Sequence, residues 1–289
     1  MSAVFSPPLG HPIPGSPHSV SCSLPTMADV IAYEERDPAV INAMTAGYPR
    51  FAVHPFVAEL TQVLATAHTQ PAEQLWLVLS ARTARELVRY LDTGRAVTLD
   101  GVEAVVHAAD PAVATRAKHW LQHRGGLLSS RGAEDALVRL GRRASVSPEA
   151  VFSGDATAEV RRVLGFHFPV PPENIHLASS GMGAMQAAFQ SISDVQAARG
   201  RTAWVQLGWL YLDTIALLKK FTPDPARDYF AQADVTDLVA LEHLFATHGS
   251  RLAGLVTEAP TNPLLQCADL AAVATLARRH GVRVICDPS

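Results

Sequence analysis

The chain has 289 residues, 48% of them hydrophobic and 18% charged, with a formal net charge of −3 and a pI near 6.4. That is enough apolar material for one large or two ordinary domains and excludes a disordered chain. The slightly acidic balance argues against a general nucleic-acid binder, and no apolar run reaches the roughly 18 residues a membrane-spanning helix needs. The first residues lack a basic segment followed by an apolar one, so no secretory signal is expected. Cys22, Cys267 and Cys286 are odd in number and far apart, which predicts reduced thiols and a cytoplasmic protein. A charged fraction below the usual quarter predicts that part of the surface sits against a partner or against missing material.

Residues 1–23 are rich in Pro, Ser and Gly without a period and predict a mobile arm. Residues 27–55 carry turn residues and few long apolar patterns, and read as extended chain held by contacts elsewhere; with the arm they make a first region, 1–56. From Phe56 the spacing of Phe56, Val57, Leu60, Val63 and Leu64 is helical. A strand follows at 75–79, a helix at 81–91, a strand at 102–107 and a proline-led helix at 111–122. Residues 57–146 thus read as a small α/β unit. A second series fills 147–289, with helices at 155–164, 181–198, 211–221, 235–248 and 269–280, and strands at 174–178, 203–207, 254–257 and 282–286. Strands alternating with helices predict a parallel sheet covered on both faces. The sequence stops just after its last strand, at Asp287-Pro288-Ser289. Such a strand calls for a further covering helix, so a longer parent protein is expected.

Several turns carry chemistry. Ser179-Ser180-Gly181-Met182-Gly183 follows a strand and opens a helix, whose free N–H groups and positive dipole end suit a phosphate; an ordinary N-cap serine is an equal reading. A dinucleotide loop is disfavoured, because Gln186 stands where a third glycine belongs and no acid ends the next strand near Gln206. Tyr211, after the next strand, sits where an aromatic ring stacks on a flat heterocycle, or simply packs. Asn262, between Pro260 and Pro263, is stiffly held and suits a ligand oxygen, although an Asn-Pro turn is the commoner role. Asp287 ends a buried-type strand and suits a protonated ring nitrogen, or an N-cap. Arg50, in Gly47-Tyr48-Pro49-Arg50-Phe51, is a phosphate ligand for a neighbouring subunit or a surface arginine. No zinc motif, P-loop or nucleophile elbow is present. Lysines are confined to Lys118, Lys219 and Lys220.

The order of these motifs resembles that of fold type I pyridoxal-phosphate enzymes. In detail the chain is similar to the Cys/Met-metabolism family, and within it to the fungal-type cystathionine γ-synthase branch. The matching stretches are Ser23-Leu24-Pro25-Thr26, Tyr33-Glu34-Glu35, Gly47 to Phe51, Gln122-His123-Arg124-Gly125-Gly126 and Ser129-Ser130-Arg131. Ser180-Gly181-Met182, Tyr211 to Thr214, Ala259 to Pro263 and Asp287 complete the set.

The resemblance implies an α/β fold type I large domain, a mostly parallel sheet, and pyridoxal 5'-phosphate as cofactor. It implies that Ser180, Gly181 and Met182 hold the cofactor phosphate and that Tyr211 stacks on the ring, with a possible auxiliary catalytic role. Asn262 would bond the ring hydroxyl and Asp287 the ring nitrogen, while Tyr48 and Arg50 would reach the phosphate of a neighbouring subunit in a dimer or tetramer. No metal is implied. The implied reaction is γ-replacement, in which cysteine displaces the acyl group of an O-acylhomoserine. A sulfhydrylase, a γ-lyase of cystathionine or methionine, or a non-catalytic fragment are the alternatives. The family's cofactor-linked lysine lies about two dozen residues beyond the aspartate, and no lysine here matches it. The chain alone is therefore expected to be inactive.

Overall fold

The computed structural model describes residues 7–44, 53–262 and 264–288. The chain divides into two compact units, 1–122 with 126–159, and 123–125 with 160–289.

The first unit opens with β1 (Pro12–Ile13) and β2 (Ser21–Cys22), paired antiparallel. His18, between them, is buried. Its Nδ1 lies 3.0 Å from Ser130 Oγ and its Nε2 2.9 Å from Glu134 Oε2, and Ser147 Oγ donates to the other Glu134 oxygen at 2.6 Å. The mobile arm expected of 1–23 is thus corrected: residues 12–23 are pinned, because a buried polar network holds what composition alone leaves loose. The extended reading of 27–55 also fails for residues 27–43. Residues 27–34 form α1 (Met27–Glu34) and 38–43 form α2 (Pro38–Ala43). Thr26 and Asp29 make a reciprocal capping box, and Asp37 caps a helix with proline in its first turn; these local signals suffice without a long apolar period.

Then come α3 (Pro55–His68), β3 (Glu73–Leu77), α4 (Ala81–Leu91), β4 (Arg95–Leu99), β5 (Val102–Ala108), α5 (Pro111–Arg124) and α6 (Ser130–Arg139). The sheet order is β3-β5-β4, antiparallel throughout. Val102, Ala104 and Val106 turn one face of β5 towards Leu60 and Leu64 of α3 and Leu137 of α6. Strand β4 and helix α6 are additions to the sequence reading. In β4 no residue is buried, so no apolar alternation announces it, although Asp100-Gly101, both with positive φ, is a hairpin signal.

The second unit takes in α7 (Ala156–His167) from its second turn onward. It continues with α8 (Gly181–Ala197), β6 (Ala203–Leu207), α9 (Leu212–Phe221), α10 (Pro225–Asp228), β7 (Tyr229–Gln232), α11 (Leu238–His248), β8 (Leu252–Glu258), α12 (Leu270–His280) and β9 (Arg283–Asp287). Its sheet has the order β7-β6-β8-β9, and every pair is parallel. Apolar clusters cover both faces. Phe245 of α11 and Val273 of α12 pack on Val205 and Leu255 from one side. Met185 and Phe189 of α8 and Leu217 of α9 pack on Trp204 and Val256 from the other. Strand β7 was not anticipated. Conversely, the strand expected at 174–178 is not one: a 3-10 turn at Pro172–Asn174 stands before it, no described strand pairs with it, and Leu177 is exposed. Apolar residues without a ladder partner do not make a strand.

Strand β8 is central and has no room to spare at Gly254, where an added Cβ would overlap the Trp204 ring. Gly254→Ala is expected to lower stability by about 1–3 kcal/mol through overpacking, read as a lower urea midpoint with an unchanged slope.

Candidate cofactor site

Parallel α/β sheets bind ligands beyond the carboxyl ends of their strands, and Tyr211, Asn262 and Asp287 stand at or just beyond the ends of β6, β8 and β9. Ser180 is the N-cap of α8, and its Oγ accepts from the Gly183 N–H at 3.0 Å. The Gly181 and Met182 N–H groups stand in the first turn, where no intrahelical acceptor exists. Space beside Gly181 is open: a Cβ there would meet nothing within 4 Å. Tyr211, beyond β6, is the N-cap residue of α9 and lies half-buried against the same apolar cluster as Met182 and Ile285. Asn262 is exposed in the loop after β8. Thr261 closes that loop: its N–H donates to the Gln266 carbonyl at 2.9 Å and its carbonyl accepts from the Leu265 N–H at 2.7 Å. Asp287 ends β9. Tyr48 and Arg50 lie outside the described residues.

One residue that sequence reasoning passed over ties this rim together. Glu258, the last residue of β8, is buried. Its carboxylate accepts the Tyr211 N–H. In the parallel register it stands directly beside Asp287, and the Ala259 N–H donates to the Asp287 carbonyl at 3.1 Å. Burial first, and the Asp287 charge second, push the Glu258 carboxyl above its ordinary range, against the pull of the Asn262 N–H. The signal in the sequence was its position, a lone acid closing an apolar strand.

The His123-Arg124-Gly125 tripeptide, which the sequence offered only as a matching stretch, belongs to this unit. Gly125 has φ +65°, and a Cβ there would overlap Ser180 Oγ and stand 2.7 Å from the Gly183 nitrogen. His123 Nε2 lies 3.9 Å from Asp213 Oδ1 in the first turn of α9. The Arg124 guanidinium lies over the Phe221 ring at 5.5 Å and, with the Gln186 amide turned to satisfy both groups, donates to it from Nη2 at 2.8 Å. The tripeptide therefore braces the turn at Ser180 on one side and helix α9 on the other.

The set combines an open, positively polarised helix end, an aromatic ring, an amide and a pair of neighbouring carboxylates. It suits a flat molecule with an anionic arm and a cationic ring. Residues 172–289 match the profile of the Cys/Met metabolism PLP-dependent enzymes.

This part of the chain belongs to that family. Its cofactor is pyridoxal phosphate, and its parallel sheet is that of the fold type I enzymes. The chain is 38% identical over 286 residues to the L-2-amino-4-chloropent-4-enoate dechlorinase/desaturase of Streptantibioticus cattleyicolor, covering 98% of this chain and 57% of that protein. It is 24% identical to the cystathionine gamma-synthase of Neurospora crassa, covering 96% of this chain and 64% of that protein. A solved cystathionine gamma-lyase from Lactobacillus plantarum, complexed with L-serine, matches 35% of this chain and 26% of its own at 28% identity and a TM-score of 0.27. The chain thus spans less than two thirds of the length of these relatives. Among the described residues no helix is long and apolar enough to cross a membrane.

Two outcomes test the site geometry. Gly125→Ala should cost about 1–3 kcal/mol from strain and overlap, whereas Gly181→Ala, with open space around it, should stay within about 1 kcal/mol of the parent; thermal melts read both. Because native Glu258 holds its proton to higher pH than an unfolded-chain carboxyl, the native state binds more protons between the two values. Stability should therefore fall as pH rises through and above the ordinary carboxylate range, and Glu258→Gln should flatten that slope in urea titrations.

Proposed function

We propose that this chain binds pyridoxal phosphate at the rim described above and belongs to an enzyme acting on α-amino acids that carry a leaving group on Cγ. The reading is supported by the Tyr211 N–H bonded to the buried Glu258 carboxylate, by Asp287 in register beside Glu258, and by Met182 and Tyr211 in a shared apolar cluster. In this reading the Gly181 and Met182 N–H groups and the Ser180 hydroxyl bind the phosphate, and Tyr211 lies on the ring. Asn262 bonds the ring oxygen, and Asp287 keeps the ring nitrogen protonated. When bound, the cofactor supplies an electron sink for the substrate's Cα and Cβ. Tyr48 and Arg50 would serve the phosphate of a neighbouring subunit, in a homodimer or tetramer.

The reaction we favour is γ-replacement, cysteine displacing the acyl group of an O-acylhomoserine, as in the fungal-type cystathionine γ-synthase branch. The 38% identity to a dechlorinase/desaturase favours a second reading, elimination from a γ-chlorinated amino acid. Both substrates lose a group from the same carbon. None of the three lysines suits the cofactor: Lys219 stands 5.5 Å from the Tyr229 ring centroid, Lys220 ends α9 and Lys118 lies in α5 of the other unit. The chain alone is therefore proposed to bind cofactor without turning over. The free thiols of Cys22, Cys267 and Cys286 accord with a cytoplasmic location.

Titrating pyridoxal phosphate into the chain while following tryptophan fluorescence tests the site. Asp287→Asn and Tyr211→Ala should each weaken binding about tenfold or more, the worth of one good polar or stacking contact; unchanged affinity in both overturns the reading. Borohydride reduction followed by mass spectrometry should leave the lysines unmodified. With a primary amine added in place of the lysine, cystathionine formed from O-acylhomoserine and cysteine supports γ-replacement. Chloride released from L-2-amino-4-chloropent-4-enoate supports the second reading instead.

A further inference from the structure

We infer that Glu258 is the positioning residue for the ring end of the cofactor site: its buried carboxylate fixes the backbone that carries Tyr211, in the loop after β6, and stands in register beside Asp287. The inference rests on the cofactor reading above and assigns a role to a residue to which the motifs gave none.

The geometry carries it. Tyr211 is an N-cap residue without a side-chain cap bond, so its N–H precedes the helical ladder and needs an outside acceptor. Glu258 provides it. The loop after β6 is therefore tied to the end of β8 through one charged group, and charged acceptors make the shorter, stronger bonds. The second partner is set by the strands: Glu258 and Asp287 are Cα partners in the β8–β9 ladder. Val256 and Ile285, two residues earlier on each strand, belong to the apolar cluster under α8 and α9, so alternation turns both acids to that same face. Two adjacent carboxylates on a water-poor face favour a cation between or beside them, and a protonated ring nitrogen is one. Glu258 thus adds to the field that Asp287 presents, without having to touch the ring.

Among the described residues nothing similar links Glu258 to the phosphate end. The turn at Ser180 is braced by Gly125 instead. The two ends of the site are therefore separable, and that separates a positioning role from a general structural one. In Glu258→Gln the isosteric amide keeps an acceptor oxygen and loses the charge.

The test uses the full chain with pyridoxal phosphate and inorganic phosphate as separate probes. Glu258→Gln should weaken pyridoxal phosphate about tenfold, as expected for one lost charge-assisted bond, while leaving phosphate affinity within about twofold. Hydrogen exchange should accelerate at the Tyr211 amide and not at Gly183. Glu258→Asp, which keeps the charge but is one methylene short, should fall between parent and Gln. If Glu258→Gln loses phosphate affinity in step with pyridoxal phosphate, its role is only structural and the inference fails. If pyridoxal phosphate affinity is unchanged in Glu258→Gln but reduced in Asp287→Asn and Tyr211→Ala, the inference fails while the cofactor reading stands. If all three variants bind it like the parent, both fall.

Discussion

The parallel register of β6, β8 and β9 is the constraint on which the rest depends. It aligns the carboxyl ends of three strands, so that the loops beginning at Gly208, Ala259 and Pro288 start from one rim. Leu207 pairs with Thr257 and Glu258 with Asp287. A slip of one residue along β9 would turn Asp287 to the opposite face and bring Cys286 into its place. Register is held by burial on both sides: all five residues of β6 and all seven of β8 are buried. The side chains that do the chemistry are few, but the apolar surface that aims them is the whole of the two clusters flanking the sheet.

The rim also shows how electrostatics is divided along the site. One end is a helix terminus, where backbone N–H groups supply positive potential. The other end is a pair of acids beside each other, which is costly unless something positive joins them. A ligand with opposite charges at its two ends relieves both strains, and an aromatic ring and an amide between them fix its plane. This division follows from secondary structure and strand register before any particular side chain is considered.

Much of this was legible in the sequence, and the failures have physical causes. The helices at α8, α9 and α12 and the strands at β6 and β8 carry strong apolar patterns, and Ser180-Gly181 and Asp287 could be placed at element ends from those patterns alone. Strands β4 and β7 went unread because none of their residues is buried, so no period distinguishes them. The apolar run at 174–178 misled for the converse reason, since pairing decides a strand and pairing is not local. Helices α1 and α2 were written in their caps, Thr26 with Asp29 and Asp37 with Pro38, and not in their periodicity. Glu258 was invisible as a functional residue because its partner is a backbone N–H of a loop far away in sequence, which no motif records.

The assignment of His123, Arg124 and Gly125 to the second unit has a consequence for how such a protein can evolve. These three residues are flanked on both sides by chain that belongs to the first unit. A genetic crossover near position 160 would therefore transplant the parallel sheet without the tripeptide that props its anion-binding turn. The two units are not interchangeable cassettes: lineages that share them are expected to inherit both from one ancestor.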